Sequence, residues 1–440
     1  MGAATQAEQL VLSLSILVIL HELGHFIPAK LFKTRIEKFY LFFDPWFSLF
    51  KFKKGETEYG IGWLPLGGYV KISGMIDESM DKEQLNQAPQ PWEFRAKPAW
   101  QRLIIMIGGV TVNVLLAMFI YSMIALTWGQ DYLPTQNVKY GVTCDSIAAK
   151  LGFQDGDKII SVGGVKEDNF NKITLDIILN KAKTVQVDRN GTTLNIPIPE
   201  SLISNLIKKG KGVLFEPRYP CVVDTVVPNM PGIKAGLQKG DKIMAIDSFP
   251  TPFFQDIVKK LQTNKGKILA ITVERNGVQK NLSATIGNDG MLGFGPVPMD
   301  KFLDFKIQNY NLITCFPAGI KTAYETFKGY LKQVDVLFTV KDAHKSIGGF
   351  ISIGKAYSPV WDWQRFWSFT AFLSIMLAFL NILPIPALDG GHVLFLLIEV
   401  ITGRKVPEKV LEYAQYIGML ILLALVLYAN GNDVLRLFGK

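Results

Sequence analysis

"LVILHELGHFIPAKLF", residues 17–32, sets two histidines, a glutamate and a lysine into a run that otherwise reads as membrane-spanning. An ionised side chain at the centre of a bilayer helix costs roughly 2.5–3.5 kcal/mol on insertion scales, so His21, Glu22 and His25 need a reason to be there. The apolar run starts near Leu10 and passes directly into HELGH. It has neither a basic leader nor a small-residue cleavage site, so it reads as a span and not as a signal peptide.

Three further stretches are apolar enough to cross a bilayer, for which a helix needs ~20 residues. They are residues 103–128, residues 366–401 (interrupted by Pro384 and Pro386) and residues 410–429. Composition agrees, since only 19% of the 440 residues are charged, against about 25% in soluble domains. The net charge of +9 comes without a basic tail or an aromatic-interleaved basic run. It reads as a membrane-orientation signal, and nucleic acid is not an expected partner. Lysines and arginines crowd the segment between the first two spans, Lys33 to Arg102 with Lys82 among them, and the short loop holding Arg404, Lys405 and Lys409. The positive-inside rule makes that side cytoplasmic and places residues 129–360 outside. Arg436 and Lys440 run mildly against this. Cys144, Cys221 and Cys315 lack metal-type spacing, and a Cys144–Cys221 bridge stays open.

Between residues 129 and 300 the composition turns soluble and the chain repeats itself. "SIAAKLGFQDGDKIISVGG" (146–164) answers to "MPGIKAGLQKGDKIMAIDS" (230–248), and "VQVDRNGTTLNIPI" to "ITVERNGVQKNLSATI". Each unit reads as helix, turn, buried strand and a later hairpin with an Asn-Gly turn, hence two copies of one small β-rich domain.

On a helix, His21 and His25 share one face and can hold one metal ion between them. Glu22 lies about 100° round from His21 and can serve as general base; HExxH is the metalloprotease pattern. The bland alternative is a pair of interhelical hydrogen-bonding histidines. A catalytic zinc takes three protein ligands and keeps one position open. Asp389, in "LNILPIPALDGGH", is the candidate third ligand, because proline-broken helices at membrane depth line cavities. His392 is a rival ligand or a packing residue, and His344 in "VKDAHKSIGG" reads as solvated.

HELGH in the first span, N-x-x-P-x-x-x-L-D-G in the third, and paired repeats with G-D-K-I between spans two and three resemble the site-2 proteases with tandem PDZ domains. The resemblance covers nearly the whole chain. It implies an α-helical polytopic membrane protein with four transmembrane helices around a zinc metalloprotease core, two inserted PDZ domains and a membrane-associated β-hairpin. The expected divisions are 1–128 for the first two spans, 129–215 and 216–300 for the PDZ domains, 301–360 for an amphipathic membrane-surface segment, and 361–440 for the remaining spans. By position, His21, His25 and Asp389 become zinc ligands, Glu22 the catalytic base, and Asn381 and Pro384 substrate-contacting residues. "EYGIGWLPLGGYVKISG" (58–74) resembles the family's membrane-dipping hairpin, with Gly67, Gly68 and Tyr69 on an edge that takes substrate as an added strand. The PDZ pair would either capture peptides or exclude bulky substrates.

The implied activity is cleavage within membrane segments of single-span proteins, with an anti-sigma factor and signal-peptide remnants as substrate classes in an envelope stress response. The implied setting is a monomer in the bacterial inner membrane, its PDZ domains periplasmic and its active site near the cytoplasmic side. A scaffold with an inert metal site would have no use for Glu22. A metal transporter would need neither Glu22 beside His21 nor peptide-binding domains.

Overall fold

The computed structural model describes residues 2–65, 67–75, 88–199, 213–340 and 343–438. Leu66 of the expected hairpin, Lys82 and Lys440 of the charge pattern, and residues 200–212 of the first expected PDZ domain lie outside the described residues. The chain divides into two compact units. One gathers the segments up to Gly129, Asn309–Asp335 and His344 onward; the other is Gln130–Gln308 with Val336–Ala343.

Among the described residues, four helices, all in the first unit, are long and apolar enough to cross a membrane: Gly2–Leu31, Ala99–Trp128, Trp363–Ile382 and Glu408–Arg436. The expected third span, 366–401, is two helices, Trp363–Ile382 and Asp389–Thr402. Pro384 and Pro386 have no N–H to continue the ladder, and Ala387 turns the chain at φ 78°. Asp389 therefore opens a new helix, where a carboxylate suits the positive end of the helix dipole. The last helix supports the break, since Gln415 Oε1 accepts from the Ala387 N–H at 3.1 Å.

The first two long helices cross with their backbones nearly touching. A methyl placed on Gly24 would land on the Gly108 carbonyl oxygen, and one on Gly108 would land on that of Gly24. Small residues of this kind let helices approach closely where no hydrophobic drive separates lipid from protein. The helix Cys315–Thr339 falls in the segment expected to lie on a membrane surface. Instead one face packs on the bundle: Gly319 abuts Ser122, Ala323 is buried with Ala117 and Ile375, and Tyr330 meets Phe379 edge-on at 5.0 Å. Phe316, Ile320 and Tyr324 remain exposed.

A four-stranded sheet follows the first helix: β1 (Ile36–Leu41), β2 (Phe43–Lys54), β3 (Thr57–Leu64) and β4 (Tyr69–Ile72), in the order β2-β3-β1-β4. The expected hairpin at 58–74 is corrected here, because its two halves do not pair. The true hairpin is β2–β3, closed at Gly55 (φ 62°), and β1 lies between β3 and β4. β1 pairs in parallel with β3 and antiparallel with β4, leaving β4 at a sheet edge.

"SIGGFISIGKAY", which suggested no role in the sequence, is held by the end of the last helix. Buried Asp433 accepts from the N–H groups of Gly349 (3.0 Å) and Ser352 (2.9 Å) and from the Ser352 hydroxyl. It thereby accepts from N–H donors that the start of the helix Phe350–Ala356 leaves without partners.

The second unit contains two lobes of like construction. The first has an antiparallel sheet of Lys158–Val162, Thr184–Arg189 and Thr192–Pro197; the second has Lys242–Ile246, Ile268–Arg275 and Val278–Thr285 with a short added strand. Each also holds a separate strand pair, 142–144 with 215–217 and 223–226 with 294–296. The expected boundaries at 215 and 300 shift accordingly. Pro217 still pairs in the first lobe, and Lys306–Gln308 pairs with 130–132. Cys144 and Cys221 are free buried thiols, each pushed up to about 12 by burial.

The lobes explain why the sequence repeats where it does. The arginine before each Asn-Gly turn reaches back to the aspartate of GDKI: Arg189 to Asp157 at 2.7 and 2.8 Å, Arg275 to Asp241 at 2.6 and 2.7 Å. Each also donates to a glycine carbonyl, Gly152 or Gly236, at 2.7 Å. Asn190 and Asn276 take positive φ (51° and 53°), as a two-residue primed turn requires.

Burial alone would raise the Asp241 carboxyl; the Arg275 guanidinium and the Gln238 N–H outweigh it and hold the group below its ordinary value. A depressed folded pKa stabilises above the unfolded value of about 3.9 and loses that contribution as pH falls through the folded one. Hydrogen-exchange protection of Ile268–Arg275 is therefore expected to weaken below about pH 4. Arg275→Met should lower protection strongly at neutral pH, with its gap to wild type narrowing in acid. A constant gap would place the effect elsewhere.

Candidate metal centre

Two histidines one helical turn apart and an aspartate far away in the chain converge inside the first unit. His21 Nε2 lies 3.3 Å from His25 Nε2 and 3.2 Å from Asp389 Oδ2, and His25 Nε2 lies 3.4 Å from that same oxygen. The two rings meet edge-to-face with centroids 4.9 Å apart. His25 is buried, and Asp389 Oδ2 is buried without a hydrogen-bond donor of proper geometry.

These distances test the fit of zinc. With Zn–N and Zn–O bonds of ~2.0–2.2 Å in a tetrahedron, donor atoms stand roughly 3.3–3.6 Å apart. The observed triangle of 3.2, 3.3 and 3.4 Å is close to that edge length. Two imidazoles and a carboxylate are a catalytic zinc donor set with one position left open. Lone pairs aimed at one point repel unless a cation or protons lie between them, so the residues present fit the metal.

The tautomer of His25 follows from its neighbour. Its Nδ1 lies 2.8 Å from the Ile105 carbonyl oxygen, which can only accept. Nδ1 therefore carries the proton and Nε2 presents its lone pair to the shared point. His21 Nδ1 faces the side-chain amide of Asn113 at 3.2 Å, and the Asn381 amide lies 3.3 Å from His21 Nε2. Pro384 is exposed at the helix break. His392, the rival ligand, is not in the cluster, and His344 is exposed outside the long helices.

Glu22 lies on the sheet side of the cluster, its γ-carbon 3.6 Å from where a methyl on Gly68 would stand, just before β4. Gly68 passes so close that an added methyl would stand 2.6 Å from both the Tyr40 carbonyl oxygen and a Val18 methyl. Gly67 lies against the Phe43 ring. Tyr69 stacks on Tyr40 and gives its hydroxyl to Asp44 at 2.9 Å, so its ring belongs to the sheet and its backbone to the edge.

Sequence reasoning missed Asn113, Gly109 and the Ile105 carbonyl. A methyl on Gly109 would intrude between the two histidine rings. Asn113 is fully buried in the middle of a predominantly apolar helix. The signal that drew attention to His21, a polar group where lipid penalises it, was present at Asn113 as well.

Comparison with known proteins adds the chemistry's context. The model for peptidase family M50 matches residues 9–425. The chain is 30% identical to a Regulator of sigma E protease of Haemophilus influenzae, over 97% of this chain and 98% of the relative. It is 29% identical to Regulator of sigma-E protease RseP of Escherichia coli, over 97% and 98%. It is also 30% identical, over 98% of each, to a Neisseria meningitidis protein whose name includes zinc metalloprotease.

Proposed function

Because the chain belongs to peptidase family M50 and is a metalloprotease, we infer that it hydrolyses peptide bonds within the membrane segments of single-span proteins. The observation that carries this reading is the convergence of His21, His25 and Asp389 between helices long and apolar enough to span a bilayer, with Glu22 beside them. A polar cluster is costly there unless the bond to be cut is there too. His21, His25 and Asp389 would hold zinc, which when bound supplies a Lewis acid and lowers the pKa of water toward ~7. Glu22 takes the proton from the attacking water and returns it to the leaving amine. Asn381, beside His21, offers its amide to the scissile carbonyl.

The open edge of β4 favours an extended substrate. A helix hides its carbonyls in its own hydrogen bonds, and strand addition at an edge replaces them. Gly67 and Gly68 let that edge run close to Glu22. In this reading the substrates are an anti-sigma factor and signal-peptide remnants, and the setting is the bacterial inner membrane; the relatives' names support the link to sigma-E regulation. The two lobes of the second unit act as PDZ domains on the periplasmic side, admitting trimmed substrates.

The test is cleavage of a tagged single-span peptide by the detergent-purified protein, with the cut mapped by mass spectrometry. A cut inside the apolar segment, abolished by a zinc chelator and restored by added zinc, is the expected result. Cleavage confined to the flanking soluble sequence, or insensitive to the chelator, would overturn the reading.

A further inference from the structure

The geometry assigns Asn113 as a positioning residue that sets the tautomer of His21, an assignment that rests on the reading of His21, His25 and Asp389 as metal donors. Each histidine has one nitrogen at the shared point and one turned away. For His25 the outer nitrogen is fixed by the Ile105 carbonyl, 2.8 Å off. For His21, among the described residues, no backbone carbonyl takes that place; the Asn113 amide does, at 3.2 Å.

An amide can face Nδ1 in two ways that occupy the same volume. With its NH2 inward it donates to a bare Nδ1, which leaves the proton on Nε2 and removes the lone pair from the shared point. With its oxygen inward it accepts from Nδ1–H, and Nε2 is free to ligate. In the NH2-inward orientation Asn113 Oδ1 is buried without a partner. The flipped amide gives that oxygen a donor, turns its NH2 to the other side, and gives His21 the same tautomer that the Ile105 carbonyl imposes on His25.

Two further features hold Asn113 to this task. Its backbone carbonyl accepts from the buried Ser374 hydroxyl at 2.7 Å, which ties it to the helix Trp363–Ile382. Gly109, one turn earlier, leaves space for both rings. An amide also adds no charge among apolar helices, as an aspartate would.

The test is zinc affinity, measured by competition with a chromophoric chelator on metal-stripped, detergent-purified protein. Wild type should bind one zinc per chain. Asn113→Leu keeps the volume and loses the acceptor, so its affinity should fall about 10- to 100-fold, as for other groups that orient a ligand from behind. Asn113→Asp restores an acceptor and should stay within about threefold of wild type. The metal-free proteins should melt together, separating orientation from packing. An Asn113→Leu affinity within about twofold of wild type, or an Asn113→Asp loss as large as that of Asn113→Leu, would overturn the assignment. If Asn113→Asp does not fold, the cobalt(II) spectrum of Asn113→Leu decides. Weakened tetrahedral bands uphold the assignment and an unchanged spectrum sinks it. A wild type that binds no zinc would fail the donor reading itself, and the assignment with it.

Discussion

Glu22→Gln is expected to lower cleavage of a single-span substrate by about 10²–10⁴-fold while zinc content stays at the wild-type level. The substitution keeps the shape of the side chain and one acceptor oxygen. It removes only the ability to take a proton. Glu22 is not one of the three clustered donors, so metal retention should not suffer. Single-turnover cleavage beside metal analysis on the same preparation makes the comparison. Activity within about threefold of wild type would mean that another group moves the proton, since general-base catalysis is worth far more.

Gly108→Ala should be nearly as damaging without touching a reacting atom. Its methyl would meet the Gly24 carbonyl, backbone against backbone, where no side chain can rotate away. The two helices must part by roughly 1 Å, and displacement of that size at a reacting centre costs on the order of 10²-fold. His21 and His25 ride on one of these helices, Asn113 and the Ile105 carbonyl on the other. Zinc affinity and cleavage should therefore fall together. Gly329→Ala, in a helix position with open space around it, serves as the control and should leave both unchanged. Equal behaviour of the two variants would show that the close approach is dispensable.

The sequence disclosed what is local and hid what is tertiary. HELGH was legible because four residues of helix put both histidines on one face. Asp389 was found as a carboxylate after a proline-broken run, and Pro384 and Pro386 do end the helix there. The lobes were legible as a repeat, and the Asp–Arg links explain which residues repeat. The sheet was misread because 58–64 and 69–74 both alternate, while the partner of β3 lies in β2, whose pattern is obscured by Asp44-Pro45. Nothing local announces that β1 will run in parallel between them. Asn113 is legible as a polar group in an apolar run, but its partner, like the role of Gly24, comes only from the crossing of two helices.

The donor atoms come from opposite ends of the chain, His21 near its start and Asp389 near its finish. At synthesis rates of about 5–20 residues per second, on the order of 20–70 s separate the two. Throughout that interval the first helix can already reside in the bilayer with its histidines exposed to passing metal and polypeptide, yet without a third donor. On the proposed donor set, activity is expected only once the aspartate helix docks. An unfinished chain is then expected to spare its own later helices and neighbours being inserted beside it, which places the safeguard in the order of the donors along the chain.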